Sequence, residues 1–430
     1  MPPASTPDAS KDPNEDDEAR SNVATDDDED APARGEDSDK APSSPLSFLP
    51  FEGTTQKVVE WVAIFVAIWV LITAVSSIGG GFDMAVGDEA EELFQFAANP
   101  FVGLVVGLLA TVLTQSSSTT TAITVGMVAG GLPIEIAIPI LFGANMGTTM
   151  TSTLVSLGMA RDKETFRRAF GAASVHDMYN LTALVIFFPL ELIFGVLGHV
   201  SKYIADTFAG EDAGVLGTAF TALGDGVSFL TDPGADLLES LVEPLGDVWG
   251  GVALIFIGIG LILLTIGFIG TLMKSLLVGK AEKVLHGAIG RGPISGVGAG
   301  TLITVMVQSS TTVTSLCVPL AGSGKFKVKE IYPLTVGANI GTTLTALIAA
   351  FGFSGVEGQA ALQAAAVHMM YNVLAATLIL SIPFLRYVPV KMALWLADLG
   401  AENKLYVVAW VLGVFAILPA SLIALSVFVF

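Results

Sequence analysis

The chain has 430 residues, of which 52% are hydrophobic and 14% charged, with a mean hydropathy of +0.70. A soluble domain carries about 25% charged residues, so composition excludes a soluble enzyme or a nucleic-acid binder and defines a polytopic membrane protein. The formal charge of −20 suggests a functional acidic surface, but residues 1–40 alone hold 14 acidic and 4 basic side chains, so half of the excess belongs to the tail.

That tail is rich in Asp, Glu, Ser and Pro and lacks aromatics, so it cannot bury enough apolar surface to offset chain entropy. Residues 1–50 therefore read as a disordered acidic cytoplasmic tail. The first apolar run starts near Val58, beyond the tail, and reads as a retained anchor helix rather than a cleaved signal. The single cysteine, Cys317, excludes an internal disulfide framework.

A bilayer core of roughly 30 Å needs about 20 apolar residues in a helix. Residues 58–79, 133–158, 169–198, 250–278, 330–352, 360–384 and 405–428 meet that requirement. The stretches 99–130 and 293–321 do not, because each is cut in the middle by a Gln-Ser-Ser run that leaves arms too short to span. Each reads as a re-entrant helical hairpin with its polar tip at midplane. The competing reading is one long kinked helix whose hydroxyls bond back to the preceding turn. Non-helical backbone at membrane depth is tolerated where it lines a protein-enclosed cavity, which favours the hairpin.

The polar runs occur twice. Gln115-Ser116-Ser117-Ser118-Thr119-Thr120 returns as Gln308-Ser309-Ser310-Thr311-Thr312, an offset of 193 residues. Gly143-Ala144-Asn145-Met146-Gly147-Thr148-Thr149 returns as Gly337-Ala338-Asn339-Ile340-Gly341-Thr342-Thr343 at 194, and His176-Asp177-Met178-Tyr179-Asn180 as His368-Met369-Met370-Tyr371-Asn372 at 192. A duplicated set of amides and hydroxyls inside apolar sequence is what a transporter needs for a site shared between two repeats.

Positive charge sets the expected orientation. Arg161, Lys163, Arg167 and Arg168 follow the second crossing, whereas residues 80–98 carry no Lys or Arg. Lys274, Lys280, Lys283, Arg291, Lys325, Lys327, Lys329, Arg386 and Lys391 fall where the same scheme expects cytoplasm, so the N-terminus is expected to be cytoplasmic. Three crossings separate the two hairpin tips, and an odd number inverts the second repeat. The fold expected is thus all-α and polytopic with two inverted repeats, at residues 55–200 and 250–384. Residues 201–249 form an extracellular linker, a loop with at most short helices. Residues 385–430 supply an amphipathic segment and a final transmembrane helix.

The polar segments hold no buried cation, so an anion there needs hydroxyls, amides, half-helix N-termini and co-bound cations. Hard oxygen ligands of this kind suit Na⁺ rather than a transition metal. Asp177 is an acid within an apolar run, functional by default, and its counterpart is the neutral Met369. Against a site stands packing: Ser and Thr in membrane helices commonly satisfy themselves on the preceding turn, and His176 and His368 read best as satisfied helix histidines. Duplication, a flanking Gln and a helix-breaking position favour the site. Ser117 or Ser310 paired with a histidine as an intramembrane serine hydrolase is disfavoured, because two equivalent neutral copies are not one activated nucleophile.

The Gln-Ser-Ser runs, the first of them following residues 99–107, together with Gly-Ala-Asn-Met-Gly-Thr-Thr and Phe166-Arg167-Arg168-Ala169-Phe170 leading into Val175-His176-Asp177, resemble the type II sodium-dependent phosphate cotransporters. The likeness covers residues 55–425 and departs from the family at Met146 and Met178, in a short outer loop and in the end of the chain at Phe430. It implies a plasma-membrane symporter that takes up inorganic phosphate with Na⁺ as coupling ion, with no other cofactor, the bilayer as its surroundings and no nucleic-acid partner. Phosphate would be held by Gln115, Ser116, Ser117, Ser118, Gln308, Ser309, Ser310 and Thr311. Sodium would be held by Thr119, Asn145, Thr148, Thr149, Asp177, Asn180, Thr312, Asn339, Thr342, Thr343 and Asn372. Family members lacking the carboxylate at Asp177 are electroneutral, so the resemblance implies electrogenic transport. Sulfate or a dicarboxylate is the alternative cargo.

Overall fold

The computed structural model describes residues 44–86, 99–210 and 214–429; the acidic tail expected over 1–50 lies outside them except for its last residues. Every described element is a helix. Helix α1 (Gly53–Val86) is followed by α2 (Pro100–Thr114), α3 (Ser117–Ala129), α4 (Ile134–Met146), a 3₁₀ turn (Gly147–Thr149), α5 (Met150–Leu157) and α6 (Lys163–Phe194). Next come α7 (Val196–Ala209), α8 (Gly214–Val242), α9 (Asp247–Ala288), α10 (Pro293–Val307), α11 (Ser310–Gly322), α12 (Val328–Ala350) and α13 (Gly355–Ser381). The chain closes with α14 (Pro383–Glu402), α15 (Leu405–Leu412), a π turn (Gly413–Ile417) and α16 (Leu418–Val429). Among the described residues six spans are long and apolar enough to cross a membrane: α1, α6, α9 up to Leu277, α12, α13 and the stretch Leu405–Ala424. Phe65 on α1 and Phe256 and Leu264 on α9 are exposed, as lipid-facing side chains are.

One sequence expectation needs correction and one needs detail. Residues 133–158 stay helical with right-handed backbone but are not one regular α-helix: a 3₁₀ turn at Gly147–Thr149 interrupts them, although the counterpart α12 runs unbroken. Residues 201–249 are not a loop, because α8 occupies 29 of them. Its Gly and Asp content suggested irregular chain, but Phe220, Leu223, Val227 and Leu230 recur at helical spacing. The Trp69 indole of α1 donates to the Leu230 carbonyl and ties α8 to the bundle (2.8 Å).

Packing repeats with the sequence. α2 lies on α4 at a contact where a Cβ on Gly107 would collide with the Ile140 carbonyl, and one on Gly143 with that of Leu104. α10 lies on α12 in the same way, with Gly300 against Leu334 and Gly337 against Val297. These glycines are required by backbone approach, which only a residue without a Cβ permits. The helix that follows each Gln-Ser-Ser run packs into the opposite repeat: α3 against α12 and α13, α11 against α5 and α6. The Ser152 hydroxyl of α5 donates to that of Thr314 on α11 (2.9 Å), across 162 residues of chain. At one end of the bundle Arg167 bonds Asp398 (3.0 Å), and the Lys404 ammonium sits 3.4 Å above the Phe166 ring centroid, fixing α6 to α14 and the start of α15.

Candidate functional site

The two Gln-Ser-Ser runs break the helices where the sequence places the breaks, and they break them alike. Gln115 ends α2 at φ 54°, Gln308 ends α10 at φ 51°, and these are the only non-glycine residues with positive φ among the described residues. Left-handed backbone costs an L-residue about 1–2 kcal/mol, so something must hold each Gln there. The Gln115 amide donates to the Val112 carbonyl and its Oε1 accepts from Thr151 (both 2.5 Å). The Gln308 amide donates to the Val305 carbonyl (2.8 Å) and its Oε1 accepts from Thr345 (3.5 Å). Thr151 and Thr345 are not among the residues expected from the sequence, where the duplicated Asn-Thr runs end at Thr149 and Thr343. The signal was available, since both threonines continue the 194-residue offset.

Beyond each Gln a serine caps the next helix. Ser116 Oγ accepts the Thr119 amide (3.2 Å) and hydroxyl (2.9 Å); Ser309 Oγ accepts the Thr312 amide (3.2 Å) and hydroxyl (3.0 Å). Capping satisfies the third-position amide and leaves those of Ser117 and Ser118 in α3, and of Ser310 and Thr311 in α11, without an intrahelical carbonyl. Thr111 donates to Thr120 (2.9 Å) and holds α2 to α3 on either side of the break.

Both breaks open on one cavity of about 650 Å³, lined by residues 114–119, Thr151, 308–312, Ser315, Leu316 and one face of α9. All eight residues assigned to phosphate are in that wall, with Thr119 and Thr312 from the sodium set. The α9 face runs from Leu263 to Lys274, so a lysine lines this cavity. The polar segments themselves hold no cation, and α9 lies outside them. Neither His176 nor His368 lines the cavity, and the nearest polar partner of His176 Nε2 is Asn339 Oδ1 (2.6 Å), so no serine–histidine dyad forms.

The remaining sodium candidates lie elsewhere. Asn180 Oδ1 accepts from Asn339 (2.7 Å) and from Asn145 (3.4 Å), and the Asn180 amide donates to the Asn145 carbonyl (2.9 Å). One side chain of α6 thus joins the matching asparagines of both repeats. Asn372 donates to the His368 carbonyl (2.9 Å), leaving its buried Oδ1 without a partner. Thr148, Thr342 and Thr343 donate to carbonyls one turn back. Asp177 is 1% exposed. Its Oδ2 accepts from the indole of Trp410 (3.3 Å). Its Oδ1 and the hydroxyl of its neighbour Thr149 are buried close enough to interact with each other, and neither has another hydrogen-bond partner among the described residues.

Trp410 was also missed. It belongs to α15, outside both repeats, and no spacing in the sequence connects it with Asp177.

These features define a polytopic all-helical membrane protein in which two duplicated helix breaks form one polar cavity. The sequence pattern of the Na+/Pi-cotransporter family matches residues 70–224 and 261–385, and the chain belongs to that family. It is 31% identical over 425 residues to sheep sodium-dependent phosphate transport protein 2A and 32% over 423 residues to the rat protein, each match covering 84% of this chain and 66% of the relative. Human sodium-dependent phosphate transport protein 2B is 28% identical over 447 residues, covering 84% of this chain and 64% of the relative. The chain therefore spans just under two thirds of the length of these relatives. No solved structure matches.

Proposed function

We propose that this protein is a secondary active transporter of the plasma membrane that takes up inorganic phosphate with Na⁺, by alternating access around the cavity between the two Gln-Ser-Ser breaks. The observation that carries the reading is the convergence of two capped helix N-termini on one cavity. Two unbonded amides from each, with the hydroxyls of Ser117, Ser118, Ser310 and Thr311, offer donors to a tetrahedral oxyanion from opposite sides, and helix dipoles favour its charge. The family and the names of the relatives support phosphate as the anion and sodium as the coupling ion.

The helices flanking each break have 15 and 13 residues, about 22 and 20 Å at 1.5 Å per residue, shorter than the roughly 30 Å hydrocarbon core. This supports two re-entrant hairpins meeting at midplane. The matched glycine contacts and matched Gln bonds support a repeat, and the cationic ends of α6, α9 and α12 support inversion with a cytoplasmic N-terminus. In this orientation the cavity opens toward the cytoplasm along α9, an inward-facing arrangement. Thr119 and Thr312 stand beside the anion site, where co-bound Na⁺ would neutralise it, and this mutual dependence is the physical basis of coupling. A further Na⁺ held by Thr149 and Asp177 would make uptake electrogenic. At Asn145, Asn180 and Asn339 an ion would first have to displace existing bonds, so movement of that clasp would accompany ion binding there.

Uptake of radiolabelled phosphate into proteoliposomes under an imposed Na⁺ gradient tests the reading. Uptake that requires the gradient and resists competition by sulfate and succinate is expected. Preferential inhibition by sulfate or succinate would reassign the cargo.

A further inference from the structure

The cavity wall contributed by α9 consists of Leu263, Ile266, Gly267, Gly270, Thr271 and Lys274. These positions share one helical face and grade from apolar at Leu263 and Ile266 to polar at Thr271 and Lys274. Gly267 and Gly270 would meet nothing within 4 Å if given a Cβ, so the groove between the helix breaks and Lys274 is open backbone. Lys274 lies eleven residues beyond Leu263, about 16 Å along the axis. It is half-buried, and among the described residues it makes no ion pair or hydrogen bond and is the only charged side chain in the wall. An ammonium with three donors facing a cavity of this size has no counter-ion among the described residues.

We propose that Lys274 is an anion-binding residue of the inward-facing cavity, where it holds the transported oxyanion at the cytoplasmic mouth; the assignment of that oxyanion as phosphate rests on the function proposed above. The group is one-sided. The offset of 192–194 residues carries Lys274 onto Phe82, Gly81 or Gly80, none of which is charged. A two-fold transport site thus has a cation on one exit only. Affinity for the anion is raised in the inward-facing state alone, so cytoplasmic anion rebinds at Lys274 and restrains further uptake. A lysine that merely anchors a helix end by reaching to the interface would leave anion affinity untouched.

The test is binding of inorganic phosphate and of sulfate to the full chain purified in detergent at saturating Na⁺, read as thermal stabilisation, for wild type, Lys274→Gln, Lys274→Arg and Lys280→Gln. Lys280 lies on α9 outside the cavity wall and controls for loss of one positive charge. Stabilisation of each variant by Na⁺ alone verifies that it is folded. Removing a charge-assisted contact should weaken the phosphate Kd by about tenfold or more in Lys274→Gln. Lys274→Arg should restore it and Lys280→Gln should match wild type. Equal Kd in wild type and Lys274→Gln overturns the role of Lys274 while leaving the phosphate reading intact. Stabilisation of wild type by sulfate and not phosphate overturns the phosphate reading, and the sulfate series then decides Lys274. No stabilisation by either anion overturns both, and failure of Lys274→Arg to restore affinity in a folded protein overturns the charge-based role.

Discussion

Gln115 and Gln308 set backbone preference against side-chain bonding, which allows the helix breaks to be tested with two substitutions each. Replacement by Ala or by Gly removes the same bonds, to Val112 and Thr151 at the first break and to Val305 and Thr345 at the second. Each lost bond is worth about 0.5–1.5 kcal/mol net, toward the lower end at the exposed Gln115, and this loss cancels between the two variants. What differs is the left-handed backbone at φ 54° and 51°, which Gly adopts freely and Ala does not. The Gly variants should therefore be more stable than the Ala variants by about 1–2 kcal/mol. In a continuous helix the order reverses, with Gly about 1 kcal/mol worse than Ala. Equilibrium unfolding in mixed micelles, followed by far-UV circular dichroism, reads the sign directly. All four variants should lose uptake, because each removes a side chain of the cavity wall. Ala variants as stable as the Gly variants at both positions would refute a left-handed break, and wild-type uptake by any of them would remove that Gln from the site.

Glu135 and Lys325 are exposed and lie on opposite sides if the repeats are inverted, so Glu135→Cys and Lys325→Cys in a Cys317→Ala background should label oppositely with an impermeant thiol reagent on intact cells; equal labelling contradicts inversion. Gly107→Ala and Gly300→Ala force a methyl into a facing carbonyl and should destabilise by about 1–3 kcal/mol, whereas Gly270→Leu fills open cavity and should block uptake with little loss of stability; the reverse ranking in unfolding and transport assays would contradict the packing. Asp177→Gly should keep Na⁺-dependent uptake but lose its response to an inside-negative potential, which otherwise contributes about 2.3 kcal/mol per charge per 100 mV; an unchanged voltage response in proteoliposomes would assign Asp177 to packing alone.

The sequence made the polar runs legible because duplication supplies its own control: a Gln-Ser-Ser run that breaks one helix breaks the other at the matching residue. It also located six of the seven expected spans, since hydrophobic length fixes them. It misjudged α8, whose Gly and Asp content masked helical spacing, and it read 133–158 as continuous because nothing local in Gly147-Thr148-Thr149 separates it from Gly341-Thr342-Thr343. The same triplet is a 3₁₀ turn in one repeat and regular helix in the other, so tertiary contacts decide. Thr151, Lys274 and Trp410 meet the site residues only through packing of distant helices. The asparagines were legible as polar and duplicated, but their bonding to one another, with Asn180 between both repeats, required the fold.

The central claim is that one anion is shared by both repeats at the two helix breaks. Arsenate is a tetrahedral oxyanion with an anomalous scattering signal, and diffraction at the arsenic edge from crystals grown with arsenate and Na⁺ locates it directly. The expected result is one peak in the cavity, within hydrogen-bond distance of amides from both Ser117-Ser118 and Ser310-Thr311. A peak bound by one break alone, or in a different cavity, contradicts the shared site.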